Sequence, residues 1–415
     1  MRKLIGFLVL IPCGLLLAAD ETAETETRKA NEAIKFSVSA GAVYTDNRDA
    51  LPTKVSNVDF TITPRLALDL KWDEVSLILL YAPTYRYRSN ANIIENDSQL
   101  LHDFSMNLGL QPTRRTKIRL REDFNLTDDP SVQQGGTTLR RDSSYVLSQT
   151  EVGMNHLFSH LSNIDIFGRY MMKRFDNAEV KKESDVSRMD AGITFWKQPA
   201  KNFALIGLAN LSKYEYEKYL NIDRGFDSAV IGVGLEQEFS SYVKYGLRGG
   251  VQSLQYADNS VESASSPYAS LSLQVNTVPS TRILASLSHS VSDSAIFPFA
   301  SQKSTDAGIS LNWESPSSVL QVVFSLDYRI SDYDSDTVTA DFASKAGNDQ
   351  TLANYLSSAG IKPGDEKATI ASIALTYKIG LATTIKLVQS YEDVNSGVKW
   401  SYDRNATALS VTRIF

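Results

Sequence analysis

From Asn57 to Trp72 the chain alternates without a break. Val58, Phe60, Ile62, Pro64, Leu66, Leu68, Leu70 and Trp72 share one side of an extended chain. Asn57, Asp59, Thr61, Thr63, Arg65, Ala67, Asp69 and Lys71 share the other. Successive side chains of a strand point to opposite faces, so this period of two marks a strand with one apolar and one mostly polar face. Globular strands usually run about 5–6 residues. A tilted strand needs roughly 9–11 residues to cross a bilayer, and this run exceeds that.

The pattern recurs. Val75, Leu77, Leu79, Tyr81, Pro83, Tyr85 and Tyr87 form one such set, and Leu320, Val322, Phe324, Leu326, Tyr328 and Ile330 another. Thr369 to Ile379 repeats it, and so does the closing run Leu409, Val411, Arg413 and Phe415. Phe203 to Tyr216 is apolar on both sides, which leaves its outward face undecided. About eighteen segments are expected, an even number as in bacterial outer-membrane barrels. Short links, such as Trp72-Asp73-Glu74 and Ser240-Ser241, alternate with long polar ones, such as Thr45 to Asn57 and Asp334 to Glu366. Tyr44, Tyr87, Tyr170, Tyr214, Tyr328 and Tyr391 fall near the long-loop ends. Phe36, Trp72, Phe158, Phe195, Phe239, Trp313 and Phe415 fall near the short turns. Two aromatic girdles flank the apolar band of such barrels. The expected fold is all-β: a transmembrane antiparallel up-and-down β-barrel with short periplasmic turns and long extracellular loops.

The amino terminus fits that location. Met1-Arg2-Lys3 is basic, Leu4 to Leu17 is apolar, and Ala18-Ala19 are small, which reads as a signal peptide over residues 1–19. The apolar stretch is shorter than the roughly 20 residues of a spanning helix. Residues 20–33 read as a short periplasmic leader, and residues 34–415 as one barrel. Cys13 is the only cysteine, so the mature chain has no disulfide or thiol chemistry. Removing Arg2 and Lys3 takes the 42 basic residues to 40 against 48 acidic, a formal charge of −8. That balance gives no nucleic-acid footprint. Phe415 is the expected assembly end, to be read by the barrel assembly machinery, with outer-membrane lipid as the surrounding partner.

The mature chain opens Phe36-Ser-Val-Ser-Ala-Gly-Ala-Val-Tyr44-Thr-Asp46-Asn47 and continues into Val58-Asp59-Phe60-Thr-Ile62-Thr-Pro64-Arg-Leu66. A strand ending in Tyr-x-Asp-Asn, followed by an Asp-Phe strand passing through Pro, resembles the putative β-barrel porin 2 family. The resemblance lies in overall pattern and covers most of the mature chain. It implies an outer-membrane barrel, and for some members a role beside exopolysaccharide export machinery. Arg413-Ile414-Phe415 departs from the aromatic common at the third-last position of assembly signals.

No catalytic constellation emerges, and neither cofactor nor metal is expected. His102, His156, His160 and His289 lie on different segments. Neighbouring strand residues face opposite ways, so His289 cannot activate Ser290. Asp332, Asp334 and Asp336 lack the glycine of a calcium loop, since Thr337 stands there, and read as a solvated acidic loop. The lumen carries more information. Arg65, Lys71, Arg86, Arg88, Arg119, Arg121, Arg169 and Lys173 are expected to face inward on the early strands, with Asp69, Asp103, Asp123 and Asp165 among them. Asp306, Glu314 and Asp327 face them from later strands. Such charges tune what passes through a pore. Tyr85, Tyr87 and Tyr333 are candidate mouth aromatics for stacking on sugars. On the longest loop, Leu352, Tyr355, Leu356 and Ala359 have helical spacing, with Asp349 as cap, Gly360 as stop and Pro363 beyond. This helix can fold into the lumen or pack on a neighbouring loop. Ala295-Ile-Phe297-Pro-Phe299-Ala300 is apolar for an external loop and is a candidate to dock against that helix or inside the mouth. The sequence thus points to a porin-type channel, with polysaccharide secretion as its specific version. A general diffusion porin for small polar solutes and a loop-plugged structural or adhesive barrel are the alternatives.

Overall fold

The computed structural model describes residues 33–48, 50–89, 98–127, 144–220, 222–258, 263–278, 280–294, 296–333, 354 and 357–415. The first strands are β1 (Ile34–Thr45), β2 (Asn57–Lys71), β3 (Val75–Tyr81), β4 (Thr84–Arg88), β5 (Ser98–Thr113), β6 (Thr116–Thr127), β7 (Tyr145–Ser159) and β8 (Ser162–Phe175). A short helix α1 (Ala178–Ser184) leads to β9 (Val186–Ala200), β10 (Phe203–Tyr216), β11 (Phe226–Glu238), β12 (Val243–Tyr256) and β13 (Ala264–Val278). The chain ends with β14 (Thr281–Asp293), β15 (Ser301–Glu314), β16 (Leu320–Asp332), β17 (Asp365–Ile379), β18 (Thr383–Ser396) and β19 (Tyr402–Ile414).

Every strand pairs antiparallel with its neighbours, and β1 pairs with β19 from Ser37↔Ile414 to Thr45↔Ala406, which closes the sheet. β3 and β4 both lie between β2 and β5. They are two halves of one spanning strand, interrupted at Ala82-Pro83, where Pro83 has no N–H for the ladder. The barrel therefore has 18 spanning strands. Short links, such as 114–115, 160–161 and 201–202, alternate with long ones. Two external links escape the loop pattern of the sequence: 217–225, hidden behind the ambiguous Phe203 to Tyr216 run, and 397–401.

The burial pattern is that of a membrane barrel. Ile231, Val233 and Leu211 are 70%, 72% and 61% exposed on the outer wall, while Arg121, Glu151, Arg169 and Asp190, of the opposite parity on their strands, point inward. Of the expected girdle residues, Tyr44, Tyr87, Tyr170, Tyr328 and Tyr391 are exposed toward the long-loop end. Phe36, Trp72, Phe158, Phe195, Phe239 and Phe415 are exposed toward the other. Tyr214 does not join them. It faces the lumen and stacks on Phe226 with ring centroids 4.3 Å apart. The inward face of β10 is apolar because other chain segments cover it, and this is why its sequence reads as two apolar faces. The buried apolar clusters gather at the external end, where loops fill the mouth. Residues 1–32, together with Asp334, Asp336, Thr337, Asp349, Leu352, Tyr355, Leu356 and Ala295, lie outside the described residues. Of the expected loop helix, Asn354 and 357–359 are helical, and Gly360 follows with φ +64°.

Candidate functional site: a paired charge ladder below a folded-in hairpin

The register decides which side chains meet in the lumen. Arg121, Glu151, Arg169 and Asp190 stand opposite one another on β6, β7, β8 and β9. Arg119 grips Asp165 with two bonds, Nη1 to Oδ2 at 2.7 Å and Nη2 to Oδ1 at 2.9 Å. Its Nε donates to Glu151 at 2.9 Å. Arg169 donates to the other oxygen of Glu151 at 2.7 Å and lies 3.9 Å from Asp190. Arg188 closes the row on Asp190 at 2.7 Å. Charges alternate along this ladder, so a solute meets fixed dipoles rather than a field of one sign. Gly153 makes room for it: a Cβ there would sit 2.4 Å from Arg119 Cζ.

The expected pore-lining residues all face inward. Arg65 lies opposite Ser37, and Arg86 lies 3.9 Å from Asp59. Arg88 is buried and donates to Gln99 at 3.2 Å. Arg121 pairs with Asp123 at 2.7 Å. Lys173 lies over the rings of Tyr145 and Phe175, 4.6 and 5.0 Å from their centroids. Asp306 pairs with Arg329, a residue the sequence reading did not single out. Asp327 stands opposite Gly308, where a Cβ would lie 2.6 Å from its carboxylate oxygen. The mouth aromatics divide differently. Tyr85 and Tyr87 pair with Ile62 and Phe60 on the outer, lipid-facing side, so neither lines the mouth. The alternation through Pro83 keeps them in phase with Leu79 and Tyr81. Tyr333 is at the mouth and is buried edge-on against Phe299, at 5.4 Å. Phe415 packs its ring on Phe36 at 5.8 Å across the closing seam, and its N–H donates to the Phe36 carbonyl at 2.9 Å.

Above the ladder the tip of the β14–β15 hairpin folds into the mouth. Phe297 and Ala300 pack on Tyr214, Phe226, Leu254 and Tyr256 of the β10–β12 wall. Ile296 and Phe299 pack the other way, on Tyr333, Ile361 and Val398, with Ala359 against the same cluster. One seven-residue link thus bridges two sides of the mouth. Its burial needs a directional fastener, because apolar contact is non-directional. Arg224 supplies one. It is 2% exposed, and its guanidinium donates to the carbonyls of Phe299 (2.8 Å), Ser294 and Glu183. It also lies 4.3 Å over the Tyr216 ring. Glu183 belongs to the last turn of α1, where a cation suits the free carbonyls of a helix end. The hydroxyl of Tyr216 donates to Asp293 at 3.2 Å, and Tyr256 and Ser301 share a hydrogen bond at 2.9 Å. Arg224 sits in the external link that the sequence pattern missed. The only sequence signal for it was the polar Asp223-Arg224-Gly225 turn between two aromatic strand ends.

Comparison with known proteins places this geometry. By shape the chain resembles outer membrane protein opdK from Pseudomonas aeruginosa, with a TM-score of 0.50, 10% identity, and coverage of 92% of this chain and 99% of that one. OccK2 (OpdF) from Pseudomonas aeruginosa gives 0.49 at 9% identity, covering 92% and 97%. OprD from the same organism gives 0.47 at 13% identity, covering 92% and 95%. These likenesses concern the fold alone. No curated protein sequence matches the chain. A family model described as Putative beta-barrel porin 2 matches residues 33–414, from the first described residue to the last strand. With its closed sheet, inward charges and apolar outer wall, the chain belongs to the Putative beta-barrel porin 2 family and is a porin-type channel of the outer membrane.

Proposed function

We propose that the channel is gated: closed at its outer mouth at rest, and passing polar solutes along the paired charge ladder once the β14–β15 tip withdraws. The observation that carries this is buried Arg224, which holds two carbonyls of the folded-in link and ties them to one of α1. A permanently open diffusion pore has no use for a buried cation holding an apolar segment across its entrance. Secretion of a polysaccharide is a narrower form of the same proposal and rests on the family resemblance. The three candidate mouth aromatics give it no free stacking face, since Tyr85 and Tyr87 face lipid and Tyr333 is covered by Phe299. Export through the outer membrane also implies a cleaved signal over residues 1–19, an assembly signal at Phe415, and contact with polysaccharide export machinery. Planar-bilayer recording of the full barrel tests the gate. Quiet traces are expected from the native chain, and steady conductance from a variant with 294–300 replaced by a short glycine-serine link. Steady conductance from the native chain refutes the gate. Loss of surface polysaccharide on gene deletion tests the narrower form, and an unchanged surface removes it.

A further inference from the structure

The wall of the barrel is not zipped to the same height everywhere. β13 and β14 pair from Val278↔Thr281 up to Ala269↔His289 and no further. Above that point β13 continues to Ala264 and stays paired with β12, and β14 continues to Asp293 and stays paired with β15. Among the described residues, no ladder pair joins 264–268 to 290–293. Continuing the register would set Pro267 opposite Val291. Proline has no N–H to donate, so a ladder across that pair fails, and within sheets proline belongs at edges. A side chain takes the place of the missing peptide. Gln252, on the inward face of β12, donates from Nε2 to the Val291 carbonyl at 2.8 Å and accepts the Val291 N–H at 2.9 Å. The end of β14 is thus drawn inward behind β13 onto the β10–β12 wall, and a seam is left in the wall beside it.

What lies behind the seam is apolar. Leu254, Tyr256, Val291, Phe226 and Ile222 form a buried cluster, with Ala264 at the top of β13 packed against it. Phe297 and Ala300 of the folded-in link seat on the same cluster, so this part of the inner wall already holds apolar groups. The height is also telling. Eight residues separate His289 from Thr281, which faces Trp313 near the short-turn end. At about 3.4 Å per residue and a strand tilt of about 35–45°, that places the end of the ladder about 20 Å above the inner girdle. The apolar band of such barrels is about 25 Å tall, so the seam opens at the level of the outer leaflet.

We propose that the β13–β14 seam is a lateral port, through which the acyl chain of an amphiphile reaches the apolar cluster around Leu254 from the outer leaflet, taking the seat that Phe297 leaves when the tip withdraws. Pro267 keeps the port from zipping, and Gln252 closes it with a bond that a side chain makes and releases more readily than a ladder does. The port opens sideways to the leaflet and the gate along the barrel axis, and the two meet at the Phe297 seat.

The test is quenching of a tryptophan in the apolar cluster by lipid. Leu254→Trp, with Ala264→Trp as the alternative where the buried site rejects the ring, is reconstituted in vesicles of phosphatidylcholine brominated along its acyl chains. The seam is then locked with Ser266→Cys and Ser292→Cys, which the continued register sets opposite each other. The only other cysteine, Cys13, precedes the barrel. Fluorescence above that of the parent chain is expected to be quenched with the seam reduced, and quenching is expected to be lost when the disulfide forms. A Pro267→Val chain is expected to lose quenching without any disulfide. Equal quenching in locked and unlocked barrels, or none in either, overturns the port, whatever the axial conductance reads.

Discussion

Replacing Arg224 with Ala isolates the fastener of the mouth. The guanidinium is buried and serves three backbone carbonyls, two of them on the folded-in link. A hydrogen bond to a charged group contributes about 1.5–3 kcal/mol. Some of that returns when water reaches the freed carbonyls, so the closed state loses about 3–5 kcal/mol, as when one partner of a buried charged contact is removed. At about 1.4 kcal/mol per factor of ten, the ratio of closed to open falls roughly a hundred- to a few thousand-fold. The apolar side of the lid remains. Phe297, Ile296 and Phe299 each keep about 1.5–3 kcal/mol of burial, so the channel flickers open rather than standing open.

Single-channel recording in planar bilayers reads that ratio directly. The expected order of open probability is native, then Arg224→Lys, then Arg224→Ala, with Arg224→Ala plus Phe297→Ala highest. Phe297 lies 5.9 Å from the guanidinium, so the double variant is expected to depart from additivity. Resistance of the folded band to detergent without heating confirms that each barrel is intact. An open probability unchanged in Arg224→Ala refutes the reasoning, because a lid held by apolar contact alone would not sense the loss.

Glu151→Gln removes the acid shared by Arg119 and Arg169. In the open background of Arg224→Ala it is expected to shift the reversal potential under a salt gradient toward anion preference, and Arg169→Gln to shift it the other way. Gly250→Ala puts a Cβ 2.1 Å from the Ile231 carbonyl oxygen and 2.6 Å from Gly232 Cα. Backbone cannot give as a side chain does, so the barrel is expected to lose about 1–3 kcal/mol, read as a lower urea midpoint for unfolding. Burial works upward on the Asp46 carboxyl, but bonds from the Asn405 amide and side chain and from Lys54 outweigh it and hold the group below its ordinary value. A depressed carboxyl stabilises the fold above its unfolded pKa, and that contribution fades as pH falls through the folded one. Exchange of the Asn405 amide is therefore expected to be slower in native protein than in Asp46→Asn at neutral pH, and the difference to vanish well below about pH 4. Phe415→Ala removes the ring on Phe36 at the closing seam and is expected to lower the yield of inserted barrel, measured as the heat-modifiable fraction in outer membranes.

The barrel was legible because its period is two and its partners are its neighbours. Each apolar set, such as Val58 to Trp72, names the lipid face, and each charge between names the lumen. That is why Arg65, Arg119, Arg169 and Asp327 could be placed inward from spacing alone. Tyr85 and Tyr87 lie near the mouth by position along the strand, but they share the apolar parity of Leu79 and Tyr81, and parity sets which face they line. The ion pairs across strands were not legible. Glu151, Asp190 and Arg188 meet Arg119 and Arg169 through register, which alternation leaves undetermined. The mouth was half legible: the apolar 295–300 segment pointed inward, yet its fastener came from a loop masked by a strand apolar on both faces.

Gate and port also share one origin in the wall. A hairpin tip can stand in the sheet or fold across the lumen, but not both, because its backbone has one set of donors and acceptors to satisfy. If residue 267 could donate, β14 would zip to β13 at Val291, and the tip would be held upright beside its neighbour. Proline there withholds the donor, and Gln252 offers the Val291 peptide an equivalent pair of bonds on the inward side. The tip follows inward, where Arg224 collects its carbonyls and the β10–β12 wall covers Phe297. Pro267→Val thus has two linked consequences. Lipid access at the seam is lost as the ladder extends, and axial conductance rises as the tip leaves the mouth. A variant that closed the seam and left the mouth quiet would break this link, and would show that the lid is held by Arg224 and its apolar seat without regard to the wall.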